Sequence, residues 1–277
     1  MNIVGLGKAG CAVVDKFSNF SQYTTFKIDA GLKGKGSLGL KGQTSPEEYE
    51  QNTPSTKIKR FFKDISGETL FVLCGAGYVA GAALKILEQV HKKGPVSVLY
   101  IRPDTDLLSN TKKTQEKVVF NVLQEYTRSG VFQKMYIADN DTLEDVVGDT
   151  PVSSYYDSIN EAIVSTFNMI KVFENSDPEI STFSPLPQIA RIATYGIVEL
   201  DGEEKCFFPL KETAEKRYYY ALKESSLEDG KLFRNIKKQI KEKNTEQTKA
   251  TYGVFATSYE QDYAYCVSYT SKIQKSS

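Results

Sequence analysis

Two glycine-rich segments carry the residue pattern with the clearest chemical meaning. Residues 5–10 read Gly-Leu-Gly-Lys-Ala-Gly and follow a short apolar run, and residues 74–83 follow another apolar run. A glycine-rich turn between a buried strand and a helix lets an anion approach the free amide groups at the helix N-terminus. Each segment therefore predicts a phosphate-binding turn, and two such turns in adjacent strand–helix units could hold several phosphates from two sides.

Polar side chains at the ends of other predicted strands extend this site. Asp29 closes the strand after the first glycine segment, where dinucleotide-binding proteins place the acid that holds a ribose hydroxyl. Asn140 follows a later strand, and Asn160 lies in the long helix after it. Because a side-chain amide both donates and accepts hydrogen bonds, Asn140 and Asn160 are candidates to bind a purine edge.

Composition excludes several other classes of protein. The 277 residues contain 35 basic and 35 acidic side chains, so a nucleic-acid-binding surface is not predicted. The longest apolar run, residues 71–84, is shorter than the roughly 20 residues of a membrane span and contains three glycines. The four cysteines form no CxxC pair, so we predict neither metal ligands nor a disulfide framework. We expect a cytoplasmic protein without a membrane partner, because residues 1–10 lack the pattern of a secretory signal.

Apolar runs and helical periodicity alternate through the first half of the chain. Strands are predicted at residues 2–5, 23–28, 69–73, 96–101 and 134–138, and residues 31–42 are predicted to be a flexible loop. This alternation predicts an α/β fold with a Rossmann-like, doubly wound parallel sheet, whose ligands lie beyond the carboxyl ends of the strands.

A second, smaller unit is predicted after a long helix. Residues 153–173 carry apolar side chains at helical spacing, and three prolines between residues 178 and 187 then interrupt regular structure. Strands and one amphipathic helix follow. We therefore predict a nucleotide-binding domain at residues 1–152, a central helix at 153–175 and an α+β domain at 176–277.

The order of these segments resembles the tubulin/FtsZ superfamily. Residues 7–11 (Gly-Lys-Ala-Gly-Cys) resemble the tubulin-type Gly-Gln-Ala-Gly-Cys loop, and residues 28–30 (Ile-Asp-Ala) stand where FtsZ has Asn-Thr-Asp-Ala. Residues 140–141 (Asn-Asp) resemble the FtsZ pair near the ribose. Residues 159–163 (Ile-Asn-Glu-Ala-Ile) are similar to the tubulin Asn-Glu-Ala run that contacts guanine.

The chain departs from the superfamily in two loops that act on the γ-phosphate. Residues 75–83 occupy the place of the Gly-Gly-Gly-Thr-Gly-Thr-Gly signature, but its threonines are absent or replaced by Val79. The Asn-x-Asp-x-x-Asp/Glu loop, counted without gaps from Asn160, falls on residues 180, 182 and 185, none of them acidic. A shifted alignment offers Asp177 and Glu179 as the catalytic candidates. Hydrolysis is therefore expected to be weak or lost.

The resemblance implies a divergent, minimal protein of the phage or plasmid type. Such a protein binds GTP or GDP, with Mg²⁺ as an accompanying ion, and assembles with itself head-to-tail into a cytoskeletal filament. The nucleotide-binding residues implied in this sequence are Gly7, Lys8, Ala9, Gly10, Cys11, Asp29, Gly75, Ala76, Gly77, Asn140, Tyr156 and Asn160.

Two alternatives remain open at this point. The first glycine segment and Asp29 also fit an NAD-dependent oxidoreductase with a Rossmann domain, although a second glycine turn has no evident use there. The degraded signature loop also fits a tubulin-like structural or interaction protein that binds no nucleotide. Nucleotide preference would distinguish the three.

Overall fold

The computed structural model describes residues 1–275, which form one twelve-stranded sheet with helices on both faces. Leu6, Ile28 and Leu73 lie side by side in three parallel strands of this sheet. The elements of the first half are β1 Asn2–Leu6, α1 Gly7–Phe17, β2 Thr24–Ala30, β3 Ser37–Leu40, α2 Pro46–Asn52, α3 Ser55–Phe61, β4 Thr69–Leu73, a 3₁₀ turn Tyr78–Ala82, α4 Ala83–His91, β5 Val96–Arg102, α5 Asn110–Arg128, β6 Met135–Asp139 and α6 Asn140–Val147.

The second half begins with the long helix α7. Its elements are α7 Tyr155–Glu174, β7 Ile180–Ser181, β8 Ile192–Val198, β9 Glu204–Cys206, β10 Glu215–Lys223, α8 Glu224–Leu227, α9 Gly230–Lys243, β11 Lys249–Thr257 and β12 Tyr263–Thr270. Strands β8, β12 and β10 pair antiparallel, and β10 and β11 pair parallel. The sheet crosses the predicted domain boundary, because β6 and β8 pair over two residue positions.

The predicted doubly wound sheet is confirmed. Its first six strands lie in the order β3-β2-β1-β4-β5-β6, and all of them are parallel. The chain leaves β1 toward one edge of the sheet and returns at β4 to build toward the other edge. This reversal creates a switch point between β1 and β4, where the carboxyl ends of the strands leave a crevice for ligands.

The prediction of a flexible loop at residues 31–42 is wrong in part, because the segment contains β3. Leu38 and Leu40 point into the core under α2 and α3, and β3 pairs with β2 from Lys27 to Ala30. The five glycines and three lysines of this segment favour a loop in the sequence pattern, and the two leucines are too few to indicate a strand. Burial against neighbouring helices therefore overrides the low strand propensity of the segment.

Helix α7 joins the two halves of the molecule. Ile159, Ile163, Phe167 and Ile170, spaced by four, four and three residues, are all buried against the sheet face that α1 also covers. The Phe167 ring meets the Phe17 ring of α1 edge-on at 5.9 Å. The other face of the first six strands packs against α2 to α5, and α9 covers the second half. No helix in the described residues combines the length and apolarity needed to cross a bilayer.

Candidate nucleotide-binding site

The turn after β1 opens directly into α1 at the switch point. Gly7 adopts φ +74°, a left-handed conformation that side chains rarely allow. A Cβ atom on Gly7 would lie 2.8 Å from Cγ1 of Val79, so the second glycine turn packs against the first. Glycine is therefore required here by both the backbone conformation and the close approach of Val79.

The N-terminus of α1 lacks a side-chain cap. Leu6 occupies the N-cap position and accepts no hydrogen bond through its side chain, and no acidic residue lies in the first turn. Lys8 is exposed and Ala9 is half-buried. The amide groups of the first turn and the positive end of the helix dipole are thus available to an anion.

Gly10 and Cys11 face the sheet. A Cβ atom on Gly10 would lie 2.4 Å from the carbonyl oxygen of Val72, so this glycine lets α1 pack closely on β4. The Cys11 thiol donates to the carbonyl oxygens of Gly5 at 3.7 Å and Ile28 at 3.6 Å. Burial raises the pKa of this thiol to about 11. The Cys11 side chain therefore belongs to the core. Its backbone amide, at the fifth position of α1, donates within the helix, so the prediction that Cys11 contacts a ligand is not supported by a free group.

The second glycine turn packs against neighbouring elements at two of its three glycines. A Cβ atom on Gly75 would lie 2.2 Å from the hydroxyl of Tyr100, which itself donates to Oε1 of buried Glu116 at 3.1 Å. A Cβ atom on Gly81 would lie 2.0 Å from the carbonyl oxygen of Pro46 in α2. Of the three glycines, only Gly77 is exposed with open space around it, and the adjacent Tyr78 is also exposed. Ala76 is buried, so the turn presents mainly the backbone at Gly77 to a ligand.

Asp29 lies near the carboxyl end of β2, beside the first turn. Because Leu6 pairs with Ile28, the residues that follow them, Gly7 and Asp29, reach the same edge. Asp29 is half-buried, and its Oδ1 accepts a hydrogen bond from the amide of Ala30 at 2.8 Å. The carboxylate retains lone pairs for a ligand at this edge.

A buried ion pair joins the carboxyl ends of β5 and β6. Nη1 of Arg102 lies 3.0 Å from Oδ2 of Asp139, and both side chains are less than 10% exposed. Burial raises the pKa of Asp139, although Arg102 acts against this shift. Oδ1 of Asp139 accepts from the amide of Asp141 and so caps α6. The pair thereby fixes the position of Asn140, whose Oδ1 is buried and has no hydrogen-bond partner in residues 1–275.

A cleft of about 560 Å³ lies next to this ion pair, within the range of small-molecule sites. Among its lining residues, sequence reasoning singled out only the segment that holds Asp139 and Asp141. The other lining residues are Arg102, Pro103, Asp104, Thr105, Asp106, Lys113, Thr114, Glu116, Lys117, Thr142 and Pro209. The available signal was the polar segment that follows β5, because polar groups at the carboxyl end of a parallel strand are suited to ligand binding.

The start of α7 lies on the side of the sheet that carries α1 and α6. Tyr155 donates to Glu144, which ties α7 to α6, and Lys16 of α1 bridges to Asp157 at 2.7 Å. Tyr156 is 66% exposed, and Asn160 one turn later is half-buried. The structure thus places Asn160 and Asn140 on two helices that pack together.

The catalytic candidates lie at the far end of α7. This helix has 20 residues and is therefore about 30 Å long. It ends at Glu174, so the loop that follows begins at Asn175 and holds Asp177 and Glu179, both exposed. The structure does not bring these carboxylates to the glycine turns of the same chain.

Solved structures share this architecture over nearly the whole chain. A GTPγS-form protofilament of TubZ from Bacillus thuringiensis serovar israelensis matches with a TM-score of 0.72 at 16% identity, covering 98% of this chain and 86% of that one. An empty FtsZ dimer from M. jannaschii matches with a TM-score of 0.68 at 12% identity, covering 97% of this chain and 87% of that one. A GTPγS-bound protofilament of CetZ2 from Haloferax volcanii matches with a TM-score of 0.66 at 14% identity, covering 97% of this chain and 92% of that one.

The fold is that of the tubulin/FtsZ superfamily, as the order of the sequence motifs predicted. No protein-family model matches the chain, and no curated protein matches it in sequence. Six of eight matching solved structures are described as protofilaments, filaments or a dimer. All eight are 12–16% identical to this chain. The structural similarity therefore establishes the architecture alone.

Proposed function

We propose that this protein binds a guanine nucleotide at the switch point between β1 and β4 and assembles head-to-tail. The observation that carries the proposal is the uncapped N-terminus of α1, which opens at that switch point through the left-handed Gly7. An uncapped helix N-terminus at the carboxyl end of a parallel strand is suited to a phosphate group.

The remaining polar groups fit the rest of a nucleotide. The free first-turn amides of Gly7, Lys8 and Ala9 would hold the phosphates. Gly77, with the flanking Gly75 and Ala76, would close over them. Asp29 and Asn140 would bind the ribose. Asn160, with Tyr156 one helical turn before it, would bind the base. From β1 to β6 there are three strand spacings, about 14 Å in all, a span that an extended nucleotide can bridge. Mg²⁺ would accompany the phosphates, held mainly by their oxygens.

Head-to-tail assembly follows from the length of α7. The nucleotide edge and the loop at Asn175 lie near opposite ends of this helix, so a second copy stacked along the helix axis would bring its loop to the nucleotide. Asp177 and Glu179 are exposed and could approach a neighbouring chain. That α7 ends at Glu174 supports the shifted alignment, in which these two carboxylates lie in the loop.

Hydrolysis by such an assembly would be slow. The two carboxylates are separated by one residue rather than two, and the apolar Val79 replaces a hydroxyl beside the first turn. Loss of a positioned general base or water-orienting group typically costs about 10²–10⁴ in rate. The protein would therefore form long-lived filaments.

Nucleotide preference provides the first test. Thermal-shift and equilibrium-binding measurements with GTP, GDP, ATP and NAD should show stabilisation by the guanine nucleotides only. Asn160→Leu should weaken GTP binding by about 10–100-fold, since a lost hydrogen-bond partner costs roughly 1–3 kcal/mol. Asn19→Leu, an exposed amide just past α1, is the matched control. Binding of NAD alone would support the oxidoreductase, and no binding at all would support the structural alternative.

Assembly provides the second test. Addition of GTPγS should cause the wild-type protein to sediment, and Asp177→Ala should lower the GTPase rate while leaving nucleotide binding intact. An unchanged rate in Asp177→Ala would show that the shifted alignment is wrong. Nucleotide binding without sedimentation at high protein concentration would contradict head-to-tail assembly.

A further inference from the structure

Two cysteines that are 60 residues apart in sequence meet on one face of β8. Cys206 of β9 and Cys266 of β12 both pair with Gly196 of β8, from opposite sides. Their Sγ atoms are 3.7 Å apart. The strand position between them carries no side chain, and this leaves room for the two sulfur atoms to approach each other.

A carboxylate and a hydroxyl complete the cluster. A carboxylate oxygen of Glu204, two residues before Cys206, lies within 4.8 Å of both sulfur atoms. The hydroxyl of Ser268 lies beside Cys206, and the residue is 2% exposed. Cys206 is the polar neighbour of this hydroxyl, which forms no other hydrogen bond within the described part of the chain. Cys206 is only partly buried, which gives a small ligand access.

We propose that Glu204, Cys206 and Cys266 bind one thiophilic divalent metal ion, for which Zn²⁺ is the natural representative. With metal–sulfur bonds of about 2.3 Å, two ligands on a tetrahedral ion lie about 3.8 Å apart. The two sulfur atoms already have this separation, so binding requires no movement of the strands. The carboxylate of Glu204 supplies a third ligand, and a water molecule beside Ser268 supplies the fourth.

Two thiolates formed on binding offset the charge of a dication. Glu204 keeps its own partners: Lys216 at 2.6 Å, the Tyr218 hydroxyl at 2.7 Å, and Lys243. Hydrogen bonds of this kind typically orient a ligating carboxylate. Since each carboxylate oxygen has two lone pairs, Glu204 can hold these partners and the metal together.

Metal binding should release protons. The two sulfur atoms share a hydrogen bond in the metal-free protein, with either sulfur able to donate. Because a cysteine ligates a metal ion as its thiolate, a bound ion must displace the thiol protons.

The expected consequence is structural. β9 has three residues, and within residues 1–275 it pairs only with β8. A metal ion held by Cys206 and Cys266 would join β9 to β12 across β8. Metal binding should therefore raise the melting temperature, by linkage to the folded state.

The test uses the reduced, EDTA-treated full-length protein with Zn²⁺ or Cd²⁺ alone. We expect one metal ion per chain after gel filtration, a thiolate-to-Cd²⁺ charge-transfer band in the ultraviolet, and a raised melting temperature. Cys206→Ser should abolish all three, while Cys74→Ser, at a cysteine outside the cluster, should retain them. Tyr218→Phe should weaken binding about 10–100-fold by removing a hydrogen bond to Glu204.

Three results would overturn the proposal. The first is failure of the folded wild-type protein to retain metal, and the second is full retention by Cys206→Ser. The third is rapid disulfide formation between Cys206 and Cys266 with diamide in a protein that does not hold Zn²⁺, which would define a redox-active pair instead. Circular dichroism of each variant confirms that it is folded, and no nucleotide enters the experiment.

Discussion

The turn after β1 and the turn after β4 lie next to each other at the switch point, yet their glycines meet different requirements. In the first turn, Gly7 is left-handed and leads at once into an eleven-residue helix without a side-chain cap. In the second, Gly75 packs against Tyr100 and Gly81 against Pro46, and a 3₁₀ turn separates the strand from α4. The first turn leaves the amides at the start of α1 without a side-chain cap, while the second turn packs Val79 against Gly7 beside them.

This difference explains how a degraded signature loop is compatible with the fold. The second turn is held by the Tyr100–Glu116 hydrogen bond and by its contact with α2, and neither contact requires a phosphate. A loop stabilised by its own packing can lose ligand-contacting hydroxyls without unfolding. Nucleotide affinity in our proposal therefore depends mainly on the first turn.

The largest expected effect is on stability, at Gly10. Gly10→Ala forces a Cβ atom to within 2.4 Å of the Val72 carbonyl oxygen, so α1 must move away from β4. We expect a loss of about 3 kcal/mol, the upper range for overpacking, in urea unfolding. Gly77→Ala, which meets no atom within 4 Å, should change stability by less than about 0.5 kcal/mol. Equal losses in both variants would contradict the close packing of Gly10 against β4.

Gly7→Ala should affect both stability and ligand binding. A left-handed conformation costs a residue with a side chain about 1–2 kcal/mol, and Val79 must also move. GTP affinity should fall at least tenfold because the first turn is displaced. Gly31→Ala is the matched control, since Gly31 has φ +69° but open surroundings. If the two variants lose GTP affinity equally in fluorescence titration, the first turn is not the phosphate site.

Tyr100→Phe should separate packing from binding at the second turn. The change leaves buried Glu116 without the hydroxyl donor, at a cost of roughly 1–3 kcal/mol in thermal unfolding. GTP affinity of the folded variant should stay within about twofold of wild type. Tyr126→Phe, on the half-exposed part of α5, serves as the control for loss of a hydroxyl. A large loss of GTP affinity in Tyr100→Phe would assign the second turn a direct role.

The smallest expected effect is a gain. Val79→Thr keeps the shape of the side chain and places a hydroxyl beside Gly7, where it could donate to a phosphate. GTP affinity should rise by a few-fold, which corresponds to about 1 kcal/mol for a hydrogen bond. Val79→Ala removes the same methyl contact without adding a donor and should show no gain. Equal affinities for the threonine and alanine variants would rule out a phosphate within reach of residue 79.

The sequence predicted those parts of the fold that depend on local pattern. Apolar runs located β1, β4, β5 and β6. The order Ser45-Pro46-x-Glu48 is typical of a helix start, and Ser45 is the N-cap of α2, accepting a hydrogen bond from the Glu48 amide at 3.2 Å. The Glu48 carboxylate accepts from both the amide and the hydroxyl of Thr44, a residue that this pattern does not indicate. Local spacing therefore indicated where the helix begins more reliably than how each side chain is used.

Features that depend on strand register could not be read from the sequence. Arg102 and Asp139 are 37 residues apart and meet because β5 and β6 pair at that position. Cys206 and Cys266 meet because both strands align on Gly196, so the search for CxxC spacing missed them. A shift of either register by one residue would move these side chains to the other face of the sheet.

Hydrogen–deuterium exchange with and without GTPγS tests the central claim most directly. Peptides covering residues 3–13 and 74–84 report separately on the two turns. The account predicts strong protection of the α1 amides in the first peptide and weaker protection, confined to the region of Gly77, in the second. Protection of the second peptide alone, or of neither at saturating GTPγS, would contradict the assignment of the phosphate site to the N-terminus of α1.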